Sequence, residues 1–376
     1  MTKPILACFF AVCFFSSLGA QSFDIYISDA GNFNNPPWQI LKFDQNGENG
    51  EVFISDHVSW PQDIFFIENE NTVLVTNLSS VTDGRISKYN ATTGEFIEEF
   101  ATGIGGPTRM KLGADGLLYV LQWKGNGKVL RYNLDGSLED EFTETGVNES
   151  IGIDWDADGN LYVSSYGGGF VRKFSPTGED LGNFISSNLA GPTNIWFGEN
   201  GDLYVVDYNG SSVKRFDGNG NFIEVLISGL PQGEGVGILP NGNIVIGSGG
   251  TSSVRVYDSA GAFIKDLVPS GTLGLITPNA VVFRESSTLS ASEVYKEITF
   301  VRPTVGERFQ IEKTGGLKEA TSFEVFNSAG EFIEKINFAD STVWNASALA
   351  DGVYFVVVKL PDGAVARQKV VVQKKN

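Results

Sequence analysis

The chain has 376 residues, enough for two domains or one long repeat array, and 41% of them are hydrophobic, so a substantial core is available. A formal net charge of −18 argues against nucleic acid and anionic membrane surfaces as partners and fits a well-solvated exterior. Abundant Gly (45) and Phe (28) suit short strands joined by tight turns.

Residues 1–20 read as a secretory signal peptide. Lys3 supplies the basic start, the stretch from Ile5 to Phe15 is apolar but too short to cross a bilayer, and Ser16 to Ala20 offers small residues before a cut at Ala20/Gln21. Both cysteines, Cys8 and Cys13, leave with it, so the mature chain has neither a disulfide nor a thiol nucleophile. No later stretch reaches the roughly 20 apolar residues of a membrane span. The mature protein is expected to be exported and soluble, secreted or held at the cell surface.

Residues 21–284 carry an internal repeat. Its clearest unit, at 191–223, contains the strand-like runs PTNIWF, DLYVVD, VKRFD and NFI, separated by turn residues. A second-strand column holds Tyr26, Leu74, Tyr119, Tyr162, Tyr204 and Val245, spaced by 48, 45, 43, 42 and 41 residues. Asn71, Gly116, Gly159, Gly201 and Gly242 lie three positions before five of these, where a tight hairpin needs positive φ. A third-strand column holds Phe43, Tyr89, Tyr132, Phe174, Phe216 and Tyr257, each followed by a turn glycine: Gly47, Gly94, Gly136, Gly178, Gly220 and Gly261.

The array enters at a second strand, 24–29, and the missing first strand appears at the far end as PNAVVF, 278–283. The pattern predicts an all-β, six-bladed β-propeller whose blade one is closed by strands from both ends of the array. These units, DLYVVDYNGSSVKRFD at Asp202 above all, resemble NHL repeats over about 23–283. A more distant resemblance is to the gluconolactonase-like propellers. Both imply the fold; neither implies one function.

A polar linker is expected over 285–298, and the pattern then changes. FQIEK, SFEVFN, GVYFVVVKL and ARQKVVVQ predict a small, Ig-like β-sandwich over 299–376. SFEVFNSAGEFI at Ser322, SALADGVYFVVV at Ser347 and the basic end KVVVQKKN resemble the type A sorting domain of type IX secretion. That resemblance implies the outer-membrane export and sorting machinery as a partner and a Gram-negative host of the Bacteroidetes type. An ordinary carbohydrate-binding or adhesive sandwich is the alternative.

Chemistry is sought where first strands converge on the channel. Their second position is read as Gln62, Thr108, Glu149, Thr193, Glu234 and Asn279, and their third as Asp63, Arg109, Ser150, Asn194, Gly235 and Ala280. In gluconolactonase-like propellers Glu, Asn and Asp at comparable places bind a divalent metal, often calcium, for which oxygen ligands are suited. That resemblance makes Glu149, Glu234 and Asn279 a candidate metal set, with Gln62 or Asn194 assisting; hydrated channel lining is the alternative.

Trp123, Tyr166 and Tyr208 follow the second strands of blades three, four and five, after Gln122 and Asp207 in two cases. They form a candidate platform for a sugar or peptide, with packing between blades as the alternative. Arg109 and Asn194 join them as candidate ligand-binding residues. His57, the single histidine, is read as a loop residue, and no nucleophile elbow, phosphate loop or dinucleotide fingerprint is present. The expected function is extracellular binding or scaffolding of an unidentified ligand, with a calcium-type metal-dependent lactone or ester hydrolase as the alternative.

Overall fold

The computed structural model describes residues 23–80, 83–285, 300–312, 317, 322–327, 332–337, 342–359 and 365–374. The signal peptide expected at 1–20 and nearly all of the linker expected over 285–298 lie outside the described residues. The chain divides into two compact units, Met1–Ser286 and Ser287–Asn376.

In the first unit each repeat forms one four-stranded antiparallel sheet, and there are six such blades. Blade two shows the order: Pro61–Ile67, Thr72–Asn77, Gly84–Asn90 and Phe96–Ile104. First strands of successive blades pack against one another and so ring the axis. The last of them, Pro278–Glu285, pairs with Phe23–Asp29, placing Phe283 opposite Ile25 and Arg284 opposite Asp24. Blade one is therefore built from both ends of the array, as the residue columns predict.

The third-strand aromatics hold one structural place. Phe43 lies opposite Ile25, Tyr132 opposite Leu118 and Phe174 opposite Leu161, and all three aromatics are buried. The apolar core is divided into clusters, each filled from two consecutive blades. Between blades four and five, Tyr162, Val171 and Ile185 meet Ile195, Leu203 and Phe216. Each large apolar side chain so buried contributes about 1.5–3 kcal/mol, and the contribution exists only while the neighbouring blade is in place.

The turn glycines after the third strands answer two demands. Gly178 has φ +83°, which L residues rarely adopt. A Cβ there would also stand 2.0 Å from the Phe142 carbonyl oxygen of the preceding blade. The same close approach to a carbonyl of the adjacent blade recurs at Gly94, Gly220 and Gly261. Chirality is thus only half of the reason for glycine; the other half is contact between blades, which one repeat cannot reveal.

The second unit pairs a three-stranded sheet (Val301–Arg302, Arg308–Ile311, Thr342–Asn345) with a five-stranded one. The five-stranded sheet runs Val305–Gly306, Val365–Val372, Gly352–Lys359, Ser322–Asn327 and Phe332–Asn337, its first pair parallel. Phe300, Phe309, Phe323, Trp344, Val356 and Val370 fill the space between them. The Gln368 amide fixes one edge, accepting from the Phe300 and Val301 N–H groups at 2.7 Å each. Among the described residues no helix is long and apolar enough to cross a membrane.

Gly201 provides a matched control for Gly178, because its φ is +78° yet a Cβ there would meet nothing within 4 Å. Gly201→Ala is expected to cost about 1–2 kcal/mol, the backbone penalty alone. Gly178→Ala should cost clearly more, since the neighbouring blade must also shift. Urea unfolding of both variants measures the difference; equal losses would mean that the contact between blades contributes nothing.

Candidate functional site

The register corrects one blade of the sequence alignment. Pro107 pairs with Gln122, Pro192 with Asp207 and Gly233 with Ser248, and Ser150 takes the same place opposite Ser165. The second and third positions of blade four are therefore Ile151 and Gly152, rather than Glu149 and Ser150. Blade four lacks the proline that marks the strand start in blades one, two, three and five, so the sequence aligns two residues out. Glu149 falls before the strand, in a left-handed turn (φ 54°), and its carboxylate accepts from Lys124 Nζ at 2.8 Å.

Third-position side chains meet on the axis. Glycine or alanine at Gly152, Gly235 and Ala280 leaves room for one long side chain, and Arg109 fills it. Its guanidinium donates to four other blades: Nε to Asn194 Oδ1 (3.1 Å), Nη1 to the Gln62 carbonyl (2.5 Å), and Nη2 to Glu234 Oε1 (3.1 Å) and the Asn279 carbonyl (2.5 Å). Asn194 in turn donates to the Glu234 carbonyl at 2.6 Å. Arg109 is 4% exposed, so this is a buried cation with most of its donors satisfied.

Two carboxylates share this cation. Asp63, 8% exposed, accepts the Met110 N–H at 2.8 Å, and Glu234, 6% exposed, takes Arg109 directly. Burial pushes both carboxyls up, Arg109 opposes that rise in each, and the charge of Asp63 raises Glu234 further. Two acids against one guanidinium leave the buried axis one positive charge short when all three are ionised; Lys111, which also acts on Asp63, is partly exposed and paired with Asp154.

The Arg109 layer divides the channel. On one side a cavity of about 200 Å³ is lined by Asp63, Arg109, Lys111, Asn194 and apolar residues farther along the first strands. On the other lies a cavity of about 240 Å³ whose floor includes the second-position residues Gln62, Glu234 and Asn279. Its walls are Phe33, Trp60, Trp123, Tyr166 and Tyr208. Trp123 and Tyr166 stand 5.7 Å apart at 40°, Tyr166 and Tyr208 5.8 Å apart at 80°, and Phe33 and Trp60 5.4 Å apart at 56°. Burial, with Glu234 and Tyr166 beside it, pushes the Tyr208 phenol up and keeps it a donor.

Buried polar residues hold these rings in place. Asp207 Oδ1 accepts from the Ala190 and Gly191 N–H groups (2.9 and 2.8 Å), and Gln122 Oε1 accepts from the Gly105 N–H (3.2 Å). Each fixes the loop leading into its own blade's first strand. That loop's carbonyl accepts the backbone N–H of the aromatic that follows: Trp123 N–H donates to Gly106, Tyr166 to Glu149 and Tyr208 to Gly191. Two atoms of the chamber's residues are buried without a partner, Asn279 Oδ1 and Trp60 Nε1.

The structure thus gathers Trp123, Tyr166 and Tyr208 at one mouth, and joins Arg109, Asn194, Glu234 and the Asn279 backbone in one network. Glu149 does not join Glu234 and Asn279. Among the described residues no three of His, Cys, Asp and Glu come together as metal ligands. His57 lies away from the channel, stacked on Phe96 at 3.8 Å. Sequence reasoning missed Trp60, although it stands immediately before the first strand in the column that also holds Gly106 and Gln232. Phe33 comes from a loop peculiar to blade one and carries no columnar signal.

No family model matches the chain, and no curated protein is similar to it in sequence. Solved structures are similar in fold. One, from a nidogen/laminin complex, aligns over 70% of this chain and 98% of its own with a TM-score of 0.56 at 16% identity. Another, a protein of unknown function from Bacteroides caccae, also covers 70% and 98%, with a TM-score of 0.53 at 14% identity. Likeness at this identity establishes the propeller fold and leaves the ligand open.

Removing the Arg109 cation should be costly, since it leaves two buried carboxylates facing each other. Arg109→Met is expected to lose about 3–5 kcal/mol near neutral pH. A carboxyl whose folded pKa is raised keeps its proton longer in the folded state than in the unfolded chain. Its folded form therefore loses stability as pH rises from the ordinary carboxylate range through the raised value. The variant raises both groups further, so its deficit against the wild type should shrink as pH falls from about 8 to about 4. Calorimetric melting across that range checks it; a deficit independent of pH would mean that Asp63 and Glu234 carry no charge under Arg109.

Proposed function

We propose that the propeller is an exported binding protein that takes a small ligand at the aromatic mouth of its channel. The observation that carries this reading is the convergence of Trp60, Trp123, Tyr166 and Tyr208, from four different blades, on one chamber. Aromatic walls supply contact area, and a few polar groups on the floor supply orientation. Metal-dependent lactone or ester hydrolysis has less support. Glu234 is engaged by Arg109 and Glu149 by Lys124, and among the described residues no three of His, Cys, Asp and Glu come together as ligands.

The proposal extends to export. A C-terminal unit with its own sandwich core, carrying the strings SFEVFNSAGEFI and SALADGVYFVVV, supports a type IX sorting domain. In this reading the chain crosses the inner membrane on residues 1–20 and the outer membrane on residues 299–376, in a Gram-negative host.

Two measurements bear on these readings. Calorimetric titration with a panel of small polar and aromatic-binding compounds should find a binder, and Trp123→Ala should weaken it by about tenfold, the loss of one aromatic contact. A binder insensitive to Trp123 and Tyr166 would place the site elsewhere. Deleting 299–376 in a host with type IX machinery should leave a folded propeller in the periplasm, and its normal appearance in the medium would overturn the sorting role.

A further inference from the structure

We infer that the aromatic mouth is built for a small organic cation, an ammonium or methylated ammonium head group bearing an oxygen close to the charge. The inference rests on the binding reading above and names the chemistry of the ligand. Three independent features carry it.

The first is the disposition of the rings. A flat sugar face stacks on rings that lie in one plane, whereas here successive rings turn by 40° and 80° around the chamber. Rings set at steep angles about one volume surround a ligand from several sides. The negative faces of Trp and Tyr then stabilise a central cation, most strongly where water is excluded. Trp123 already carries the Lys124 ammonium 5.8 Å from its ring centre.

The second is charge. Asp63 and Glu234 are both buried around a single guanidinium, and only one oxygen of Glu234, Oε1, is engaged by Arg109. Glu234 lines the aromatic chamber. When both acids are ionised, a ligand cation seated above Glu234 offsets the charge that Arg109 leaves uncompensated; Lys111, which also acts on Asp63, lines the other cavity. The overall charge of −18 draws such a ligand toward the surface.

The third is the pair of unpartnered atoms. Asn279 is 1% exposed, and its Oδ1 has no donor; the Trp60 indole N–H has no acceptor. Both residues line the chamber. A hydroxyl beside the cationic nitrogen has the chemistry for either atom, donating to Asn279 Oδ1 or accepting from the Trp60 N–H. A bare ammonium would serve only the first.

The test is calorimetric titration of the full-length chain with three probes: choline, its uncharged carbon isostere 3,3-dimethylbutan-1-ol, and glucose. Choline should bind at least about tenfold more tightly than either neutral probe. Glu234→Gln, which keeps an acceptor for Arg109, should remove most of that preference. Should that variant not fold, Tyr166→Leu at the wall serves instead, and should weaken choline more than the isostere. Equal binding of choline and 3,3-dimethylbutan-1-ol, or tighter binding of glucose, overturns the cation while leaving the mouth as a binding site. If none of the three binds, the cation proposal fails, and the wider reading then stands or falls on the larger compound panel.

Discussion

Arg109 is the side chain on which the centre of the propeller depends. A ring of blades needs something at its axis, because the first strands cannot close on one another without leaving either a void or a column of water. Here a single guanidinium spans the gap and donates to groups from blades one, two, five and six. The planar fork of Arg suits this task better than the point charge of Lys, since several carbonyls and amides can be served from one plane. The small residues at Gly152, Gly235 and Ala280 follow from its presence, as does the burial of Asp63 and Glu234. The same side chain closes the floor of the aromatic chamber, so the element that organises the axis also shapes the site.

Beyond the axis, the propeller is held by contacts between blades rather than within them. Each apolar cluster is shared by two neighbours, and the turn glycines permit one blade's hairpin to sit against the carbonyls of the next. Stability is therefore a property of the ring, and the pairing of Pro278–Glu285 with Phe23–Asp29 removes what would be two open edges. Rigidity of this kind benefits a binding site assembled from loops. Gln122 and Asp207 look like functional polar groups beside aromatics, yet they are buried and fixed to backbone N–H groups. Their contribution is to hold the loops to which the backbones of Trp123 and Tyr208 are bonded.

The two units divide the work in the proposed reading. The sandwich has its own core and is assigned the export role, whereas the propeller holds the chamber in which Trp60, Trp123, Tyr166 and Tyr208 meet Glu234. When Asp63 and Glu234 are both ionised beside Arg109, the chamber has a sign as well as a shape.

Much of this was legible from the residues alone. Second- and third-strand columns at intervals of 41 to 48 residues specify the six blades, because strand alternation and turn chirality are local rules repeated six times. The displaced strand at 278–283 is readable for the same reason. Trp123, Tyr166 and Tyr208 could be grouped from spacing, since equivalent positions in a ring converge. The sequence could not place Glu149: without a proline to mark the strand start, a two-residue slip preserves the alternation and carries no local penalty. Nor could it show that Arg109 would lie across the axis, or that Trp60 and Phe33 would join the mouth. Those outcomes depend on which side chains of different blades reach the same few ångströms. Sequence alone determined the blades and their order; only the tertiary structure decided which charges, rings and unpaired atoms face one another, because that is settled between repeats and not within any one of them.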